Sequence, residues 1–120
     1  MSDRDLETIR ETVRLFVRER DWERFHSPKN LAMALSVEAA ELVEIFQWLT
    51  EAESEALTAA QHAAARDEIA DVFVYLLRIA DRLDVDLLAA VEDKMRRNAE
   101  KYPAERVRGR ADKYTAYEDD

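Results

Sequence analysis

Two short acidic motifs, Glu38-Ala39-Ala40-Glu41 and Glu68-Ile69-Ala70-Asp71, stand inside stretches that otherwise carry apolar residues at helical spacing. A step of three residues puts both members of a motif on one side of a helix, so two such helices lying side by side converge four carboxylates on one small volume. Four ionised carboxylates there repel one another. A hard divalent cation relieves the repulsion, and Mg²⁺ in particular is held by a few carboxylates, with water and phosphate oxygens completing its shell. The pattern points to phosphate chemistry, with Glu38, Glu41, Glu68 and Asp71 as candidate metal ligands.

With 27 acidic residues in the chain, chance pairs at this spacing are expected, and an isolated Glu-x-x-Glu usually marks a solvated helix face. Context sets these two apart. Glu38 occupies the gap in an apolar stripe formed by Leu31, Leu35, Leu42, Ile45 and Leu49, and Asp71 falls in the most apolar run, Ile69 to Leu77. An ionised group left unpaired in such a setting costs free energy on the order of a domain's whole stability. Glu44 and Asp67, close by in sequence, fit the outer faces.

Cations and aromatics supply the rest of a prospective site. Lys94, Asn98 and Lys101 follow one another at steps of four and three, with Arg97 beside them, and Lys29 lies near the start of another helix. A chain with one glycine has no Gly-rich phosphate loop, so distal phosphates would have to be held by such cations or by a helix N-terminus. Trp22, Phe25 and His26 precede that helix and Trp48 lies near its end, placed for packing or for stacking on a ligand. Glu23-x-x-His26 matches half of a di-iron signature; the other histidine, His62, follows Ala59 by three residues, so a di-iron site is not expected and His62 reads as solvent-facing.

Four helices are expected to position these groups. The first runs from about Asp3 to Arg20, and the connector Asp21 to His26 leads to Ser27-Pro28, a cap and first-turn proline opening a helix to about Leu49. Thr50 with Glu53, and Thr58 with Gln61, resemble two capping boxes around an irregular turn. The third helix extends to about Leu83, its main stripe being Ala65, Ile69, Val72, Leu76, Ile79 and Leu83, with Phe73, Val74 and Leu77 making it apolar nearly all round. Such a helix needs cover on every side, which predicts a second subunit. Asp84 or Asp86 opens the last helix, and Tyr102-Pro103 stops it. The reading is an all-α, four-helix domain over residues 1–103, completed by oligomerisation, with a charged tail over 104–120.

Composition narrows the partners. The 120 residues, 48% apolar, make one domain with a packed core, and the absence of cysteine excludes a thiol nucleophile and fits a reducing cytoplasm. A net charge of −9 argues against polymeric nucleic acid as a partner, while a small nucleotide with a metal remains compatible. No signal-peptide-like or membrane-spanning stretch is expected, since Asp71 and Arg78 interrupt the most apolar region.

Taken in order, Arg20-Asp21-Trp22-Glu23-Arg24-Phe25-His26 with Pro28, Asn30 and Leu31, then Glu38-x-x-Glu41, Phe46-Gln47-Trp48, Glu68-x-x-Asp71 with Val72 and Tyr75-Leu76, Lys94-Met95, Asn98 and Lys101-Tyr102-Pro103 form a longer pattern. This pattern resembles the MazG-like all-α nucleotide pyrophosphohydrolases, in the branch of the dCTP pyrophosphatases. The resemblance runs from about Leu15 to Pro103, and Lys113-Tyr114-Thr115 also matches. It implies a homodimer or homotetramer that uses Mg²⁺ to hydrolyse a nucleoside triphosphate to the monophosphate and pyrophosphate. It makes Glu38, Glu41, Glu68 and Asp71 the metal set, with Glu41 or Glu38 acting on the attacking water. Lys94, Lys101 and Arg97 would neutralise phosphate, and Trp22, Trp48 and Asn98, with His26 and Tyr75, would shape the base and sugar pocket. Val13 departs from the pattern, standing where some relatives place a polar residue, and this weakens an expectation of strict cytosine selectivity. Two alternatives are a phosphoribosyl-ATP pyrophosphohydrolase, against which the Trp22 and Trp48 neighbourhoods speak, and a non-catalytic helical interaction module, against which the four intact acidic positions speak.

Overall fold

Short polar side chains fix where the helices begin. In the computed structural model of the chain, which describes residues 5–111, Asp5, Ser27, Thr50, Thr58 and Asp86 each accept a hydrogen bond from the backbone N–H three residues on. Each such cap satisfies an amide the helix leaves unpaired and contributes about 1 kcal/mol. The elements that follow are α1 (Leu6–Glu19), a 3₁₀ turn (Glu23–Phe25), α2 (Pro28–Phe46), α3 (Glu51–Ser54), α4 (Ala59–Arg82), α5 (Leu87–Lys101) and α6 (Ala104–Val107). Among the described residues there is no strand, so the fold is all-α with four long helices, as expected.

Two helix boundaries differ from the sequence expectation. The segment between Thr50 and Thr58 holds the one-turn helix α3, because both capping boxes close fully: the Glu53 and Gln61 side chains accept from the Thr50 and Thr58 amides in return. Helix α2 stops at Phe46 rather than near Leu49, its end tightened by the bond from Leu49 N–H to the Phe46 carbonyl.

Residues up to Asp84 form one compact unit and those from Val85 a second. In the first, α2 packs along α4, and α1 also packs on α4. The buried apolar residues are Val17, Leu31, Ala65, Leu77 and Ala80. The stripe expected on α4 is only partly the buried one: Ile69, Leu76 and Leu83 are 57%, 42% and 54% exposed, while Leu77 and Ala80 are covered. A helix apolar on nearly every side carries no periodicity that says which face its own chain will cover. The second unit contains α5 and α6; the boundary expected after Pro103 falls inside it, where α6 begins, and Lys113, Tyr114 and Thr115 lie outside the described residues. No helix among the described residues is long and apolar enough to cross a membrane.

Candidate active site

Helices α2 and α4 bring three of the four expected acids together. One carboxylate oxygen each from Glu38, Glu41 and Glu68 lie within 4.8 Å of one another, and all three residues are half-buried. The Oε2 atoms of Glu38 and Glu68 are buried with no hydrogen-bond partner among the described residues, an arrangement that costs free energy unless a proton or a cation supplies what is missing. Burial first, then the neighbouring carboxyl groups of Glu68 and Glu41 and the charge of Asp71, push Glu38 up to about 7. Burial raises Glu68 as well, opposed by its hydrogen bond with Glu38 and reinforced by Glu41 and Asp71. Asp71 lies outside this tight ring and is exposed, yet its charge is felt by Glu38, Glu68 and Tyr75.

A cavity of about 420 Å³ adjoins the ring, lined by residues of α1, the 3₁₀ approach, α2 and α4: Trp22, His26, Glu38, Asp71 and Tyr75, with Thr12, Val13, Phe16, Val17, Val74 and Arg78. Glu38 therefore belongs to both the carboxylate ring and the aromatic cavity. Glu41 and Glu68 in turn line a separate, more open recess of about 350 Å³ with Glu44, Ile45 and Ala64.

The way α1 ends puts Trp22 in the wall. Asp21 adopts a left-handed conformation at φ 53°, which a short polar side chain tolerates better than most. The Trp22 N–H then reaches the Val17 carbonyl and the Asp21 N–H the Arg18 carbonyl, the paired bonds of a Schellman ending. The chain folds back so that the Trp22 ring meets Phe16 edge-on, centroids 5.8 Å apart. Tyr75 stays protonated: burial and the nearby charges of Glu38, Asp71 and Glu41 raise its hydroxyl above the usual value.

Trp48 is 86% exposed and does not line the cavity, and Lys29 is exposed near the start of α2. On α5, Lys94, Asn98 and Lys101 share one side by their spacing; Lys94 and Lys101 are exposed and Asn98 half-buried, while the Arg97 guanidinium donates to Asp93 at 3.1 Å. His62 is exposed, as are Glu44 and Asp67. Sequence reasoning gave no site role to Thr12, Phe16 or Arg78. Arg78 carried a usable signal: like Glu38, it is a charge set in an apolar run, and it is only 5% exposed.

Several known proteins are similar to this chain. The model of the MazG-like family matches residues 33–116. dCTP pyrophosphatase 1 of Rattus norvegicus is 46% identical over 112 residues, covering 92% of this chain and 66% of that protein, and the Homo sapiens counterpart is 45% identical over 112 residues. The chain thus spans about two thirds of the length of the curated relatives it matches. Among solved structures, a pyrophosphatase from Archaeoglobus fulgidus is similar with a TM-score of 0.79 at 38% identity, over 86% of this chain and 96% of the other.

Proposed function

From the premise that this chain belongs to the MazG-like family, we propose that it hydrolyses a nucleoside triphosphate, with dCTP or a modified dCTP first among the candidates, to the monophosphate and pyrophosphate. The observation that carries this reading is the double membership of Glu38. An aromatic cavity sized for a nucleobase meets a ring of carboxylates at one shared residue, so a base seated among Trp22, His26 and Tyr75 brings its phosphates to the acids. The names of the relatives, dCTP pyrophosphatase 1 and a pyrophosphatase, point the same way.

The donor set suits a hard cation. Its ligands are all carboxylate oxygens, and two of those oxygens are buried without a partner. Glu38, Glu41 and Glu68 would hold Mg²⁺, with Asp71 joining from the cavity rim. When bound, the ion would neutralise the phosphate charge that the acids would otherwise repel. Trp22 and Tyr75 hold the base, and Glu41 or Glu38 takes the proton of the water that attacks the α-phosphorus as pyrophosphate leaves. Lys94, Lys101 and Arg97 on α5 are the proposed phosphate partners, with Asn98 at the sugar.

Homodimer or homotetramer formation belongs to the same proposal. The first unit buries few apolar residues, while Ile69, Phe73 and Leu76 of α4 are at least 40% exposed. The work is that of an enzyme clearing triphosphates from the cytoplasmic pool, with no polymeric nucleic acid or membrane as partner. The test is pyrophosphate release from a panel of triphosphates, with and without Mg²⁺. Selective, Mg²⁺-dependent turnover supports the reading. Turnover of phosphoribosyl-ATP alone, or of nothing, refutes it.

A further inference from the structure

Arg78 is the most deeply buried charged side chain among the described residues, and it lines the aromatic cavity. Its Nε donates to His26 Nδ1 at 3.4 Å, and its Nη1 donates to Asp81 Oδ2 at 3.1 Å. Asp81 is held from α1 by the Arg14 guanidinium, which donates through Nε to Oδ2 at 2.7 Å and through Nη2 to Oδ1. The clamp is bidentate, so Asp81 has little freedom to release Arg78. Arg14, Arg78 and Asp81, with Arg18, Glu23 and Arg82, border a further cavity of about 220 Å³. Its charges are largely paired among themselves, Arg14 and Arg78 with Asp81 and Arg18 with Glu23, which makes it a brace rather than a receptor.

A guanidinium offers donors and no acceptor, so a ring nitrogen that receives its N–H must present a bare lone pair. His26 Nδ1 is then unprotonated, and the proton of the neutral imidazole resides on Nε2. Burial, and after it the positive charges of Arg78 and Arg82, hold His26 below its ordinary pKa and so keep the ring neutral near pH 7.

We propose that Arg78 is a positioning residue for base recognition: braced by Asp81 and Arg14, it fixes His26 as the Nε2–H tautomer, so that the cavity offers a hydrogen-bond donor to a carbonyl oxygen of a pyrimidine. The opposite tautomer would present an acceptor and suit an amino group instead. The base-recognition half rests on the reading of the cavity as a nucleobase pocket; the tautomer half does not.

The experiment is ¹⁵N nuclear magnetic resonance of the two His26 nitrogens in the whole chain, together with calorimetric binding of dCMP, which needs no turnover. In the wild type, Nδ1 should resonate as a bare, pyridine-type nitrogen and Nε2 as a protonated one. Arg78→Met should give a mixture of tautomers and weaken dCMP roughly five- to tenfold, about the worth of one net hydrogen bond. In turnover the Met variant should raise KM with little change in kcat. Arg78→Lys, which like the guanidinium donates and cannot accept, should keep both tautomer and affinity, an outcome that a purely structural role would not produce. An Nδ1–H tautomer or an imidazolium in the wild type at neutral pH overturns the proposal even if no variant folds. An intact tautomer with no dCMP binding in any form overturns the base-recognition half and leaves Arg78 positioning a histidine of another site; pyrophosphate release by the wild type then shows whether the functional reading falls with it.

Discussion

Replacing Glu38 by Gln removes one charge from the carboxylate ring while keeping nearly the same shape, so its effect on stability can be worked out from the ring's geometry. In the metal-free protein the Glu38 carboxyl is raised from 4.5 to about 7, mainly by burial and then by Glu68, Glu41 and Asp71. Below the lower value both folded and unfolded chains hold the proton. Between the two values the folded chain keeps a proton that the unfolded chain has released, so stability falls as pH rises through that window and the loss is complete above it. A shift of that size corresponds to at most about 3 kcal/mol, and the water that reaches this half-buried cluster screens it to the order of 1 kcal/mol. Gln is neutral at every pH. The variant should therefore match the wild type near pH 4 and melt about 4 °C higher near pH 8 in the presence of a chelator, given the usual conversion for a domain of this size. Added Mg²⁺ should reverse the order, raising the wild-type melting temperature more than the variant's, and the wild-type gain should shrink as pH falls and protons compete for the site. The measurement is thermal unfolding by circular dichroism across pH, with chelator and with Mg²⁺. A melting difference that does not change with pH would refute the assigned repulsion, and equal stabilisation of both proteins by Mg²⁺ would refute the ligand role.

Glu41→Gln should keep the helical circular dichroism and lose Mg²⁺-dependent pyrophosphate release; retained turnover would remove Glu41 from both the metal set and the chemistry. Trp22→Ala should raise KM and flatten the preference among triphosphates, since base stacking on an aromatic ring is worth about 1–3 kcal/mol. Trp48→Ala, which leaves the cavity lining untouched, should do so less, and a larger effect from Trp48 would displace the base from the cavity described here. Phe73→Glu, at a side chain 40% exposed on α4, should leave the helical content intact and shift the light-scattering mass to the monomer; an unchanged assembly would put the subunit contact elsewhere.

How far the site could be read from the sequence varied with how sharply each residue contrasts with its surroundings. Glu38 was legible because α2 has a single apolar stripe, so a carboxylate in it stands out, and its half-burial against α4 bears that logic out. The same logic misplaced Asp71. Helix α4 is apolar on almost every side, so membership in its apolar run says nothing of burial, and Asp71 is exposed at the cavity rim. Periodicity also failed to separate Leu77 and Ala80, which are covered, from Ile69 and Leu76, which are not. Caps are legible because their chemistry is local: Ser27, Thr50 and Thr58 each begin a helix as expected, and of the two candidates Asp84 and Asp86 it is Asp86 that caps α5. The end of α1 is not, since its left-handed residue is an aspartate where glycine is the usual signal, and that turn is what brings Trp22 back against Phe16. Arg78 shows the remaining gap most clearly. A buried cation in an apolar helix demands partners as strongly as a buried carboxylate does. Its partners are Asp81, one turn along its own helix and clamped in turn by Arg14 of α1, and His26 from the connector, far away in sequence. No spacing rule links positions 14, 26 and 78. What the sequence does hold is the anomaly itself, and a charge that breaks an apolar run marks a candidate site residue whichever sign it carries.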